Sequence, residues 1–149
     1  MSTSPEILIA ADHAGIELKQ QIQEQLSDFN FVDLGPGNTD SVDYPDYAEG
    51  LSHRISKGMF ERGILICGSG IGMCIAANKI KGIRAALVTS EEMARLSRAH
   101  NNANVLCLGA KITPIDEAIK IVRKWLTTEF SNEPRHHRRN EKVMALEGK

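Results

Sequence analysis

Five short apolar runs along the chain predict buried β-strands. The predicted strands are residues 6–11, 31–34, 63–66, 83–88 and 104–108. Between them lie segments whose apolar side chains recur at helical spacing, such as Ile16, Leu18, Ile22 and Leu26. Strands that alternate with helices in this way are typical of an open parallel sheet with helices on both faces. The pattern therefore predicts a single α/β domain across residues 1–149.

The predicted helices cover residues 16–26, 46–57, 71–80, 91–100 and 113–125. We expect Gly82 to end the third of them as a C-cap glycine, and Pro114 suits the first turn of the fifth. The tail from residue 133 to 149 is polar at first and weakly helical around Val143. No linker, internal repeat or low-complexity segment divides the chain before this tail.

A change of pattern within residues 63–74 marks a candidate site. The strand ends at Ile66, the small residues Cys67 to Gly70 break the pattern, and helical positions resume at Ile71. A glycine turn between a strand and a helix presents backbone N–H groups that have no partner inside the helix and bind anions. The sequence therefore predicts an anion site with a thiol at its edge.

Cys67 differs from the other two cysteines because of this position. Most cysteines are small buried hydrophobes, and we expect that role for Cys74 and Cys107. The field of a helix N-terminus lowers the pKa of a nearby thiol, so that thiolate is available near neutral pH. Cys67 is therefore a candidate nucleophile or a candidate base at carbon.

Two nucleotide-binding interpretations of the glycines are disfavoured. Dinucleotide-binding folds carry Gly-x-Gly-x-x-Gly after the first strand of a βαβ unit, and that spacing is absent here. A P-loop is excluded because the chain contains no Gly-Lys-Ser/Thr sequence.

Other candidate residues also follow predicted strands or helices. Ligands of open parallel sheets bind beyond the carboxyl ends of the strands, and Asp12, His13 and Lys111 follow the first and fifth strands. His100 and Asn101 end the fourth helix, in the turn that enters the fifth strand. Plainer interpretations stay open: an N-cap aspartate beside a surface histidine, and a histidine that favours a helix C-terminus.

Composition excludes several classes of protein. The chain is 42% hydrophobic and 25% charged, which is ordinary for a soluble globular protein. No apolar run is long enough to span a bilayer, and no secretory signal is recognisable, so no membrane partner is expected. The three cysteines are odd in number and fit no zinc motif, which favours reduced thiols, a cytoplasmic location and no metal site.

A basic cluster near the C-terminus is the main charge feature of a chain whose formal net charge is -1. Such a cluster is usually a solvated face or a weak nucleic-acid patch. The aromatic content of only 5% offers few stacking platforms for nucleic acid, so a small phosphorylated ligand is the better match. Arg135 and Arg139 are four residues apart and share a face in a helix, which suits a phosphate group.

Seven motifs occur together and in a fixed order. They are Ala-Asp-His-Ala-Gly at 11–15, Asp-Tyr-Pro at 43–45, Ile-Leu-Ile-Cys-Gly-Ser-Gly-Ile-Gly at 64–72, Ile-Ala-Ala-Asn-Lys at 75–79, Gly-Ile-Arg-Ala at 82–85, His-Asn-Asn-Ala-Asn-Val-Leu at 100–106, and Arg-His at 135–136 with Arg139. In this combination the chain resembles ribose-5-phosphate isomerase type B, the family that also holds the galactose-6-phosphate isomerase subunits. The resemblance covers essentially the whole chain.

The resemblance implies a three-layer, Rossmann-like sandwich with a five-stranded parallel sheet and a C-terminal helical tail. It implies aldose–ketose isomerisation of ribose 5-phosphate to ribulose 5-phosphate through a cis-enediolate, without metal, nucleotide or other cofactor. It also implies an obligate homodimer with sites between protomers, which could pair further into a tetramer. Residues 133–149 are then expected to contribute to the dimer and to the phosphate site.

The same resemblance implies roles for individual residues. Cys67 corresponds to the base that moves a proton between C2 and C1, His100 to the group that opens the sugar ring, and Ser69 to an aid in hydroxyl proton transfer. The backbone of the glycine turn would hold the enediolate oxygen. The implied substrate contacts are Asp12, His13, Gly68, Gly70, Ile71, Gly72, Asn101, Lys111, Arg135 and Arg139.

Two positions qualify the resemblance. Met73 stands where some members carry a glutamate, so the chain resembles the branch that uses a cysteine base. Lys111 replaces an arginine, which keeps the positive charge but loses the bidentate fork. His136 is a neighbour of the expected phosphate, whereas His137 and Arg138 receive no role.

Three alternatives stay open beside this interpretation. An isomerase of a six-carbon sugar phosphate, allose or galactose 6-phosphate, would need room for one more carbon between base and phosphate clamp. A non-catalytic sugar-phosphate sensor would need neither Cys67 nor His100. A redox-sensing thiol protein is disfavoured because no second cysteine lies close to Cys67 in the sequence.

Overall fold

Five parallel strands form the central sheet of the protein, whose computed structural model describes residues 5–148. The strands are β1 (Glu6–Ala11), β2 (Asn30–Asp33), β3 (Arg62–Cys67), β4 (Ala85–Leu87) and β5 (Val105–Gly109). They lie in the order β2-β1-β3-β5-β4, and every neighbouring pair is parallel. The helices are α1 (Ile16–Gln25), α2 (Tyr44–Ser56), α3 (Ile71–Ala77), α4 (Glu91–Ala99), α5 (Ile115–Thr127) and α6 (Pro134–Ala145).

Each face of the sheet has its own apolar core. Ile9 and Ile64 pack with α1, α4 and α5, whereas Leu8 and Leu65 pack on the other face with α2 and α3. All four side chains are fully buried, and each such burial stabilises the fold by roughly 1.5–3 kcal/mol. The central strands are therefore covered on both sides, as parallel sheets require. The predicted three-layer α/β sandwich is confirmed.

The strand order creates a crevice at the carboxyl edge of the sheet. The connection that leaves β1 runs through α1 to β2 on one side, whereas the connection that leaves β3 runs through α3 to β4 on the other side. The connections after β1 and β3 therefore diverge, and such switch points hold the ligands of open α/β sheets. Asp12 directly follows β1, and Cys67 is the last residue of β3.

The third helix is shorter than predicted, and Gly82 does not cap it. The helix α3 ends at Ala77 with Asn78 as its C-cap residue, and the side chain of Asn78 bonds to the edge strand β4. The N–H of Ala85 donates to Asn78 Oδ1 at 2.8 Å, and Asn78 Nδ2 donates back to the Ala85 carbonyl at 3.0 Å. Gly82 lies in the following turn with a positive φ of 86°.

The polar tail forms a longer helix than the sequence predicted, since only weak helical character around Val143 was expected. The helix α6 begins at Pro134, a residue suited to a first helical turn. It is held against the domain at the amino edge of the sheet, where Asn140 Nδ2 donates to the His100 carbonyl at 2.9 Å. Further along, Arg84 Nη1 lies 3.5 Å from Met144 Sδ. Within residues 5–148, no helix combines the length and hydropathy needed to cross a membrane.

Candidate active site

The thiol of Cys67 is buried at the end of β3 and faces a glycine turn. Only 5% of the residue is exposed, and its Sγ accepts a hydrogen bond from the Gly70 N–H at 3.2 Å. The next N–H, that of Ile71, donates to Ser69 Oγ at 3.2 Å. Backbone N–H groups, a thiol and a hydroxyl therefore converge on the start of α3.

Two glycines of this turn are required by close contacts. Gly70 has a φ of 80°, and a β-carbon there would lie 2.9 Å from the Leu108 backbone. A β-carbon at Gly72 would lie 2.5 Å from the ring of Tyr44, the first residue of α2. The turn is thus held between β5 and α2, and Tyr44 forms one wall beside it.

Asp12 and His13 lie at the same edge of the sheet. Asp12 Oδ1 accepts from the Ala14 N–H at 2.9 Å, so its carboxylate caps the short 3-10 turn that precedes α1. His13 is exposed, and its Nδ1 accepts from the Val42 N–H at 3.2 Å. Because Nδ1 is an acceptor, the neutral ring carries its proton on Nε2. The Nε2 N–H of the neutral His13 ring is therefore a hydrogen-bond donor at this edge of the sheet.

A buried lysine braces the loop that contacts His13. Lys19 is 2% exposed, and its Nζ donates to Asp33 Oδ1 at 2.7 Å and to the Pro36 carbonyl at 2.8 Å. Burial alone raises the pKa of Asp33, but hydrogen bonds from Lys19, Gln23 and a backbone N–H lower it below the usual value. The loop that follows β2 is therefore anchored to α1 by a charged pair.

Lys111 completes this group of residues. Its N–H donates to the Gly68 carbonyl at 2.9 Å, and a β-carbon added at Gly68 would lie 3.6 Å from Lys111 Cδ. The predicted residues Asp12, His13, Cys67, Gly68, Ser69, Gly70, Ile71, Gly72 and Lys111 thus share the carboxyl edge of the sheet. We call this group the thiol half-site.

His100 and Asn101 lie elsewhere, at the amino edge of the sheet. His100 caps the C-terminus of α4, and its ring stacks on the ring of His136 with centroids 4.2 Å apart. His136 is 5% exposed, and its Nδ1 lies 2.6 Å from Ser131 Oγ. Burial lowers the pKa of His136, and the neighbouring His100 and Arg135 lower it further.

The two predicted phosphate ligands lie on α6 near the stacked histidines. Arg135 and Arg139 are both exposed, and Arg135 pairs with Glu133 at 3.0 Å. Together with His100, Asn101 and His136 they form a second, basic group at the amino edge, which we call the histidine half-site.

One chain does not bring the two half-sites together. The strands β3 and β5 are in register from the Gly63–Val105 pair to the Cys67–Gly109 pair. Four residues of parallel strand span about 13 Å, and His100 precedes the start of β5. Cys67 and His100 therefore lie at opposite ends of the sheet, too far apart to act on one small sugar.

Among residues 5–148, no group of three or more His, Cys, Asp or Glu side chains has the geometry to hold a metal ion.

Comparison with known proteins identifies the family of this chain. The family model described as Ribose/Galactose Isomerase matches residues 7–143. The chain belongs to this family. The resemblance to ribose-5-phosphate isomerase type B is therefore confirmed, and so is the expectation of an isomerase.

Relatives within the ribose/galactose isomerase family match almost the whole chain. The probable ribose-5-phosphate isomerase B of Mycoplasma genitalium is 48% identical over 145 residues, which cover 95% of each chain. Ribose-5-phosphate isomerase B of Escherichia coli is 38% identical over 144 residues, covering 95% of this chain and 96% of that protein. The crystal structure of the Mycoplasma genitalium ribose-5-phosphate isomerase B with bound ribulose 5-phosphate has a TM-score of 0.93, with 47% identity and 99% of both chains covered.

Three residues of this chain make contacts in the structure that the sequence pattern did not predict. His136, expected only as a phosphate neighbour, packs on His100, and Asn140 holds the His100 carbonyl. Their spacing of four residues on one helix was an available signal. His137, which received no role, bonds to Asn132 Oδ1 at 3.2 Å and so fixes the turn before α6.

Proposed function

We propose that the chain interconverts ribose 5-phosphate and ribulose 5-phosphate. The observation that carries this proposal is the buried thiol of Cys67 in hydrogen-bond contact with the Gly70 N–H. The relative crystallised with ribulose 5-phosphate shares 47% of its sequence with this chain, which supports a five-carbon substrate.

Cys67 is the base at carbon in this proposal. Its thiolate removes the proton from C2 of the open-chain aldose and returns it to C1, while the hydroxyl proton on O2 moves to O1. Ser69 lies in the glycine turn, and its hydroxyl transfers that proton from O2 to O1. Backbone N–H groups of residues 68–72 hold the negative oxygen of the enediolate, which is the type of contact that stabilises developing charge most effectively.

We propose that each complete site combines the thiol half-site of one copy with the histidine half-site of a second. Ring opening and carbon proton transfer involve neighbouring atoms of the sugar, and each requires a group within hydrogen-bond reach. Since one chain separates Cys67 from His100, a homodimer supplies both. Ile71 and Ile75, one turn apart on α3, are 52% and 58% exposed and form an apolar patch suited to that contact.

A two-fold dimer gives two such sites of equal composition. His100 of the second copy acts as general acid and base at the ring oxygen and the C1 hydroxyl. Arg135 and Arg139 of the same copy hold the phosphate, and Asp12 and His13 hold sugar hydroxyls. Each copy thereby contributes one half of each site, and tail residues 133–149 belong to both the dimer and the phosphate clamp.

The direct test is an isomerase assay with ribose 5-phosphate and excess chelator. The expected result is ribulose 5-phosphate formation at an undiminished rate, with solvent hydrogen incorporated at the transferred position. Cys67→Ser is expected to lower kcat by at least about 100-fold, the usual range for removal of a catalytic base. A near wild-type rate for this variant would overturn the assignment of Cys67. Binding without any turnover would support a sensor instead.

Two variants on one helix test the phosphate clamp. Arg135→Ala is expected to raise KM by roughly 10- to 100-fold, because charge-assisted hydrogen bonds contribute about 1.5–3 kcal/mol. Arg138→Ala, which removes the same charge from an exposed position three residues away, serves as the control. Equal effects of the two variants would show that only general charge matters.

The second candidate function is isomerisation of a six-carbon sugar phosphate, because the family description "Ribose/Galactose Isomerase" includes a six-carbon sugar. The ratio of kcat/KM for ribose 5-phosphate to that for allose 6-phosphate and galactose 6-phosphate decides between them.

A further inference from the structure

The ring of His100 is held by packing rather than by hydrogen bonds. Its backbone is fixed on both sides, because the His100 N–H donates to the Leu96 carbonyl at 2.9 Å and the His100 carbonyl accepts from Asn140 Nδ2 at 2.9 Å. The ring makes no hydrogen bond within residues 5–148, so both of its nitrogens are available to a substrate. The ring of His136 packs on it, with centroids 4.2 Å apart and planes inclined by 33°.

The His136 ring is itself fixed by Ser131. His136 is buried, and its Nδ1 lies 2.6 Å from Ser131 Oγ. The same hydroxyl accepts from the Glu133 N–H at 3.3 Å, and the Ser131 N–H donates to the Ala99 carbonyl at 3.0 Å. A chain of contacts therefore runs from the end of α4 to the His100 ring. Rotation of the His136 ring would break its bond to Ser131, so His136 offers His100 a surface of fixed orientation.

A neutral His136 ring suits this position. Burial lowers the pKa of His136 below its usual value, and the neighbouring His100 and Arg135 lower it further. A neutral ring adds no like charge to the stacked pair when its neighbour is protonated. His136 can therefore hold His100 through a reaction in which His100 takes up and releases a proton.

We propose that His136, fixed by Ser131, is a positioning residue that holds the His100 ring in the orientation needed to open the sugar ring. This role rests on the proposed isomerase function and adds two residues to it. It differs from the expectation that His136 is a neighbour of the phosphate. A misplaced acid–base group keeps part of its effect, so loss of His136 should lower activity less than loss of His100.

The test compares two reactions in the same variants of the full chain. His136→Ala is expected to lower kcat for ribose 5-phosphate by about 10- to 100-fold with little change in KM. Ser131→Ala, which keeps the ring but frees it, is expected to lower kcat by at least about threefold. Ser131→Thr keeps the hydroxyl and is expected to retain the wild-type kcat.

The second reaction is exchange of a C1 hydrogen of ribulose 5-phosphate with deuterated solvent. This ketose is already an open chain, so exchange needs the base but no ring opening. Its rate in His136→Ala and Ser131→Ala is expected to stay within about twofold of the wild-type rate. Equal losses of isomerisation and exchange would overturn the proposal, because they would show general damage to the site. A raised KM with an unchanged kcat would also overturn it, because His136 would then act on the phosphate.

His137→Ala is the matched control on the same helix. The His137 Nε2 lies 3.2 Å from Asn132 Oδ1, and its ring packs edge-on against Phe130 rather than on His100. Its removal loosens the same turn without removing the stacked ring, so both reactions are expected to stay near the wild-type rates. A loss of kcat in His137→Ala equal to that in His136→Ala would overturn the proposal.

A measurement without substrate separates this proposal from the proposed function. Relaxation of isotope-labelled histidine rings in nuclear magnetic resonance reports the order of the His100 ring on the picosecond to nanosecond timescale. The ring is expected to be ordered in the wild type and in His137→Ala, and mobile in His136→Ala. An equally ordered ring in all three would overturn the positioning role even if the wild type is a fully active isomerase. A wild type with an ordered ring and no turnover would instead refute the proposed function, and the catalytic purpose of the positioning with it.

Discussion

Mixed dimers of two inactive variants offer a direct test of how the site is divided between copies. Cys67→Ser removes the proposed base from the carboxyl edge, and His100→Asn removes the proposed ring-opening group from the amino edge. Each variant alone is expected to lose at least about 100-fold in kcat. In a mixed dimer, one of the two sites combines an intact Cys67 with an intact His100 from the other copy.

The size of the recovery follows from the geometry. The matched pairs from Gly63–Val105 to Cys67–Gly109 place the two edges about 13 Å apart, which exceeds the reach of both groups to one sugar. Equal mixing makes about half of the dimers mixed, and each of these has one intact site of two. The mixture is therefore expected to reach about a quarter of the wild-type activity per chain.

The assay co-refolds the two purified variants in equal amounts and measures ribulose 5-phosphate formation. A mixture of Cys67→Ser with Cys67→Ala is the control, because both changes lie in the same half-site and every mixed dimer lacks a base. If the Cys67→Ser and His100→Asn mixture is no more active than its two components, the shared-site proposal is refuted. A residue of the same chain other than His100 would then have to open the sugar ring beside Cys67.

Two further predictions concern the scaffold of the thiol half-site. Gly70→Ala is expected to lower the free energy of unfolding by about 2–4 kcal/mol, because the left-handed conformation and the contact with the Leu108 backbone both disfavour a β-carbon. The control is Gly37→Ala, which should leave Tm nearly unchanged because no atom lies within 4 Å of its added β-carbon. The lowered pKa of Asp33 means that its contribution to stability is present above its unfolded pKa and is lost as pH falls through its lower folded value. Lys19→Met is expected to reduce stability at neutral pH and to flatten this acid dependence in urea unfolding; an unchanged slope would exclude the pair as its source.

Much of the thiol half-site could be predicted because its residues follow strands directly. The apolar runs identify β1 and β3, and the rule that ligands bind beyond strand carboxyl ends then places Asp12 beside Cys67. His100 ends a helix that enters a strand, so the same topology places it at the opposite edge. The full length of α6 could not be predicted, because its contacts with His100 and Arg84 arise only in the folded chain.

The paired hydrogen bonds between Asn78 and Ala85 have a consequence for the behaviour of the protein in concentrated solution. The strand β4 is the outermost of its sheet, and an unpaired strand edge is a template on which other chains can add strands and aggregate. The Asn78 amide supplies one acceptor and one donor to Ala85, as a neighbouring strand would. One side chain thus covers a peptide group of a strand only three residues long, and it leaves little free edge for intermolecular β-sheet growth.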